Sequence, residues 1–232
     1  MATERLRALG PELWCLDHPQ ALYGARVGAR MTVIRLRDGG LLLISPVPVD
    51  PATSAEIEAL GPVRHLVAPS LTHDAHMAGA IARWPEARRY GAPGLGHRRP
   101  DLGLHEELGA RAPAGWLRQV DQVPIEGIPA ASEVVFFHRA SRTLILSDLV
   151  ADLSEATGAW TRLLLWLDGS LGAFAIPGFL RRAVVDGAAA RASADLVLMW
   201  DFDRVILAHG PVLEHGGREA VARALASLGP PA

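Results

Sequence analysis

Val67-Ala-Pro-Ser-Leu-Thr-His73-Asp-Ala-His76-Met-Ala-Gly79 is the stretch whose reading decides the fold. Just before and within it, His65-Leu-Val-Ala68 reads as a short buried strand. From His76 to Trp84 the apolar residues fall at 77, 80, 81 and 84, at helical spacing. The two imidazoles therefore stand at a strand-to-helix junction, where unpaired N–H groups and a partial positive charge oppose protonation of nearby rings. A neutral imidazole can bind a metal, and His73 and His76, three apart, can converge on one point. The competing reading is an ordinary helix N-cap, with Thr72 and Asp74 ahead of an apolar run and two of nine histidines close by chance.

Working outward, Glu12–Asp17 alternates as a first strand, followed by a loop through His18-Pro19 that carries Tyr23. Met31–Leu36 and Leu41–Ile44, joined by Asp38-Gly-Gly40, predict a hairpin. Pro51–Leu60 predicts a helix stopped by Gly61-Pro62. After a short strand near 87–92, a polar stretch at 93–114 carries His97 and His105, both expected to face solvent. Residues 116–123 and 125–128 read as strand material. Glu133–His138 and Thr143–Leu146 predict a second hairpin, 160–200 is helical, Arg204–Ala208 is a strand, and Arg218–Leu228 is an amphipathic terminal helix. This order implies one layered α/β domain over 1–232.

Three apolar strands run out into residues of metal-ligand type: 65–68 into His73 and His76, 143–146 into Asp148, and 204–208 into His209. Strand ends hold side chains on a rigid frame. Three imidazoles and a carboxylate suit zinc, and also iron or manganese, whereas calcium or magnesium would call for oxygen donors throughout.

These motifs, in this order, resemble the metallo-β-lactamase fold superfamily over almost the whole chain. Glu126–Leu149 is similar to a bacterial branch of it whose members are uncharacterised. The resemblance implies a four-layer αβ/βα sandwich with a metal site at one edge of the sheets. It also exposes departures. The superfamily's His-x-His-x-Asp-His motif falls on Leu71-Thr-His73-Asp-Ala75-His76, so Leu71 stands for the first histidine and Ala75 for the aspartate. A further histidine expected near Gly127-Ile128-Pro129 is absent, while Asp148 matches the bridging aspartate and His209 the last histidine. The resemblance thus implies one ion in place of two, held by His73 and Asp148 or by His76, Asp148 and His209, with Asp74 able to substitute at the Ala75 position or to accept a proton. Glu133 and His138 read as half-buried hairpin residues, with an outer hydrogen-bonding or substrate-contacting role as the alternative.

The function implied is hydrolysis of a small ester, lactone, thioester or phosphodiester by one transition metal ion. The alternative is a binding protein that keeps the fold without the chemistry. Composition adds exclusions. With 25 acidic and 23 basic residues, all of the latter Arg, no basic stripe points to nucleic acid. One cysteine, Cys15, rules out a disulfide framework or thiolate cluster, and the N-terminus lacks the apolar core of a secretory signal, so a cytoplasmic location is expected. No Gly-x-Ser-x-Gly elbow surrounds Ser147, and phosphate-cradling glycine loops are absent. Residues 163–180 are apolar but interrupted by Asp168, Gly169, Gly172, Pro177 and Gly178, and at about 18 residues they are near the lower limit for spanning a bilayer; they are expected to be buried, either internally or in a homo-oligomer.

Overall fold

A computed structural model describes residues 5–22, 25–154, 158–172 and 174–228; Met1–Glu4 and Tyr23 lie outside the described residues. In the first half the elements are β1 (Arg7–Gly10), β2 (Leu13–His18), β3 (Ala21–Leu22), β4 (Ala25–Arg26), β5 (Ala29–Arg35), β6 (Leu41–Ile44), α1 (Pro51–Leu60), β7 (Val63–Ala68), α2 (Met77–Arg83), β8 (Arg88–Gly91), α3 (Leu95–Arg98) and β9 (Glu106–Glu107). The second half holds β10 (Val120–Pro124), β11 (Val134–His138), β12 (Thr143–Leu146), β13 (Ala151–Asp152), α4 (Ala159–Asp168), β14 (Phe174–Ala175), α5 (Gly178–Arg182), α6 (Gly187–Leu198), β15 (Arg204–Leu207) and α7 (Gly217–Leu225).

Two main sheets form, one in the order β1-β2-β5-β6-β7-β8-β9 and the other β10-β11-β12-β15. Period-two alternation sorts their side chains into three layers of core. Leu42, Ile44 and Val67 of the first sheet meet Val134, Phe136, Ile145 and Ile206 of the second between the sheets. The intervening Leu41, Leu43 and Leu66 point outward onto Ile57 of α1 and Met77 and Ala80 of α2. On the far side, Val135, Phe137, Leu144 and Leu207 pack against Ala190, Ala194 and Val197 of α6 and Val221 and Leu225 of α7. Helix, sheet, sheet, helix is the expected four-layer α/β sandwich. Strands buried on both faces explain why 41–44 and 134–137 read as unbroken apolar runs.

Both expected hairpins form, β5 with β6 and β11 with β12, and α1 begins on an Asp50 cap whose carboxylate accepts the Thr53 N–H at 2.7 Å. Elsewhere the sequence reading needs correction. Residues 115–119 are turns, because Gln119 and Val120 donate back to the Trp116 carbonyl, and 125–128 lead into another turn closed at Ala131. The polar stretch after 93 contains α3 and the edge strand β9. His138 is buried at 3% exposure, not half-buried; it lies at the Thr143 end of its hairpin and bonds Ser141 Oγ through Nδ1 at 2.8 Å.

Burial pushes the His138 imidazole down to about 4, against a small opposing pull from Glu12. A histidine with a lowered folded value favours the native state above its unfolded value near 6.5 and loses that contribution as pH falls toward about 4. We therefore expect stability to decline over that window by an amount on the order of 2 kcal/mol that His138→Asn removes. Urea unfolding of parent and variant from pH 7.5 to 4.5 measures it; parallel pH profiles would contradict it.

Candidate metal centre

Parallel pairing puts the functional strand ends side by side. β12 runs parallel to β15 with Leu146 opposite Leu207, so Asp148 and His209 emerge together. In the other sheet β6 runs parallel to β7 with Ile44 opposite Val67, so Ser45 lies next to the start of the loop that carries His73. That loop is pinned to the second sheet's side: Leu71 N–H donates to Ala131 O at 2.8 Å and Val134 N–H to Pro69 O at 2.8 Å.

His73, Asp148 and His209 converge, with one ligand atom from each lying within 4.8 Å of the others. His73 Nε2 is 3.2 Å and His209 Nε2 3.5 Å from the same oxygen, Asp148 Oδ1. The other oxygen, Oδ2, is occupied by the hydroxyls of Ser70, at 2.9 Å, and Thr72. Each ring is held from behind. His73 Nδ1 meets Ser45 Oγ at 2.7 Å, and His209 Nδ1 meets Gly28 O at 2.8 Å. A carbonyl only accepts, so His209 Nδ1 carries the proton and a neutral ring turns its Nε2 lone pair toward Asp148.

The Ser45 hydroxyl can donate or accept, so the His73 ring can turn either a lone pair or an N–H toward Oδ1; the His209 lone pair facing the same carboxylate oxygen is stable with a proton or a cation between them. In a tetrahedral zinc site the donor atoms are ~3.3 Å apart, which the two measured separations approach. The donor set, its spacing and the rear hydrogen bonds fit a metal ion.

The electrostatics agree. Burial would raise the Asp148 carboxyl, but the charges and hydrogen bonds of His73 and His209 carry it well below the ordinary range. Burial lowers His209 in turn, yet its hydrogen bond and charge interaction with Asp148 leave it raised. Glu133, which the sequence places as half-buried, is 1% exposed and accepts the N–H groups of Ser147, Asp148 and Leu149, each at 2.7 Å. Burial, helped by Asp148, pushes its carboxyl up to about 8 against those three N–H donors. It fixes the backbone that aims Asp148.

His76 does not join the group. It occupies the N-cap position of α2, where its Nε2 lies 3.3 Å from Gln20 Oε1 and its ring meets His18 edge-on at 5.7 Å. Burial, with His18 and His73 adding to it, lowers its affinity for a proton. Asp74 is paired with Arg99, which also holds Asp101. Leu71 packs against the apolar cluster under α2, and His97 and His105 are exposed.

Arg30 is a contributor that sequence reasoning missed. At 8% exposure it reaches across from the first sheet, donating to Leu207 O at 2.6 Å and Gly210 O at 2.7 Å, on either side of His209. Its Nε is paired with Asp17 at 2.5 Å.

A family profile described as a domain of unknown function (DUF4336) matches residues 11–96. No curated protein sequence matches the chain. Solved structures do. A metallo-β-lactamase from Erythrobacter litoralis, with β-mercaptoethanol in its active site, superposes with a TM-score of 0.66 at 15% identity, over 98% of this chain and 97% of that one. FIM-1 from Pseudomonas aeruginosa, in its mono-zinc form, gives 0.65 at 17% identity over 98% of both chains, and the enzyme from Pontibacter korlensis 0.65 at 13% over 97% and 98%. The chain has the metallo-β-lactamase fold.

Ser45→Ala should free the His73 ring and lower zinc affinity about tenfold, and Arg30→Met should do the same through His209. Competition with a chelating dye reads both. Unchanged affinity in either variant would remove that residue from the centre.

Proposed function

We propose that the chain is a metal-dependent hydrolase of a small ester, lactone, thioester or phosphodiester, acting as one domain with a single zinc ion held by His73, Asp148 and His209. The observation that carries this reading is the convergence of both Nε2 atoms on Asp148 Oδ1, with each ring braced at Nδ1. The mono-zinc form in which the Pseudomonas aeruginosa protein is described supports a single-ion centre on this fold. Iron or manganese would suit the same donors.

Bound there, the ion would supply Lewis acidity, polarising a carbonyl or phosphoryl oxygen and making water acidic near neutral pH. The chain's own part is orientation. Ser70 and Thr72 keep Oδ2 of Asp148 engaged so that Oδ1 faces the histidines, while Glu133 holds the backbone beneath it. Asp74, the candidate proton acceptor, is held by Arg99 through Oδ2.

A second reading, a non-catalytic binding protein, is favoured by Leu71, whose place in the apolar cluster fills a position where a ligand is expected. Metal analysis and kinetics separate the two. The hydrolase reading expects about one ion per chain, activity lost on chelation and restored by metal, and a drop of about 10²-fold or more for Asp148→Asn, with Asp74→Asn still retaining metal. A metal-replete protein inactive toward all four substrate classes, whose Asp148→Asn variant binds ligands like the parent, would establish the binding protein instead.

A further inference from the structure

The 163–180 segment is buried only in part: Leu165, Ile176 and Leu180 turn into the fold, while other apolar side chains face outward. Helix α4 turns Thr161 and Leu165 inward and leaves Trp160 at 58%, Leu163 at 45%, Trp166 at 66% and Leu167 at 64% exposure on one face. Phe179 of α5, at 46%, is also exposed. The two helices form one unit. Gly178 N–H donates to Asp168 Oδ2 at 2.8 Å and Arg182 pairs with Asp168 at 2.5 Å, and a Cβ at Gly178 would lie 1.7 Å from the Asp168 carbonyl. Five roughly half-exposed apolar side chains amount to about 500 Å², the upper end of what monomeric proteins leave open.

Charge decides what covers this face. Its described residues, 158–172 and 174–183, carry Arg162, Arg181 and Arg182, all exposed, and a single acidic group, Asp168, already engaged by Arg182 and Ser170. A two-fold dimer would set this surface against itself, bringing like charges together around the apolar centre. Exposed tryptophans on an element pair whose exposed charges are mostly arginine instead match the boundary of an anionic lipid layer, where indoles sit among headgroups and cations meet lipid phosphates. No helix among the described residues is long and apolar enough to cross a membrane, so α4 would lie flat.

We propose that the exposed face of α4 and α5 docks on an anionic phospholipid bilayer surface. Its inner side packs through Leu165 with Val27, Ala151 and Leu153, beside Gly28 O and Asp152 N–H, which hold His209. Docking would thus place the candidate metal centre next to the bilayer, but it requires no metal.

Co-sedimentation with phosphatidylcholine vesicles, with and without a third of phosphatidylglycerol, tests this. We expect at least about tenfold stronger partitioning onto the anionic vesicles, weakened by salt. Trp160→Ser with Trp166→Ser, and separately Arg162→Glu with Arg181→Glu, should each reduce it about tenfold or more while leaving circular dichroism and melting unchanged. These side chains are exposed, so two independent variants guard against a folding defect. Equal partitioning onto both vesicles, or binding that survives both variants, would overturn the proposal. So would light scattering that shows a dimer dissociated by Trp166→Ser, because a second copy would then own the face.

Discussion

One carboxylate oxygen, Asp148 Oδ1, is where the two sheets' contributions meet. Asp148 and His209 come from adjacent parallel strands of the second sheet, and His73 arrives on a loop from the first. A buried carboxylate is costly unless its lone pairs are satisfied. Here two hydroxyls satisfy Oδ2, while Oδ1 faces two imidazole nitrogens, where a proton or a cation would complete the arrangement, so the charge is retained and directed.

Supporting groups extend this arrangement into the sandwich. Glu133 gathers three consecutive backbone N–H groups beneath Asp148, Ser45 and Gly28 brace the two rings, and Arg30 ties the His209 loop to the opposite sheet. Ser45 adopts φ +56°, a left-handed conformation costly for a non-glycine residue and tolerated where surrounding contacts fix it. The buried Asp148 carboxylate between two imidazoles creates an environment in which a cation offsets charge that the apolar surroundings would penalise.

The layers were legible because unbroken apolar runs such as 41–44 and 134–137 can be buried only between two faces. His73, Asp148 and His209 were legible for a related reason: each follows an apolar strand whose end leaves a polar side chain on a rigid edge. The braces were not. Ser45 lies 28 residues from its partner, while Gly28 and Arg30 lie 181 and 177 residues from theirs, and no local pattern reports such pairings. A search of the neighbouring parallel strand's end would have found Ser45. The three-residue spacing of His73 and His76 allows the rings to converge, but α2 begins only at Met77 and the two rings meet different partners, Ser45 and Gln20. Apolar content at 163–180 signalled burial without saying by what; Leu165, Ile176 and Leu180 are buried, while α4 turns Leu163, Trp166 and Leu167 outward.

The most direct test of the central claim is zinc-edge X-ray absorption on protein loaded with one equivalent of zinc. The account predicts two imidazole nitrogens and oxygen donors near 2.0 Å in the order-of-magnitude range for such ligands, no sulfur and no neighbouring metal, with one imidazole lost in His209→Ala and in His73→Ala but not in His76→Ala. A spectrum unchanged by His73→Ala or His209→Ala, or one that loses its imidazole in His76→Ala, would contradict it.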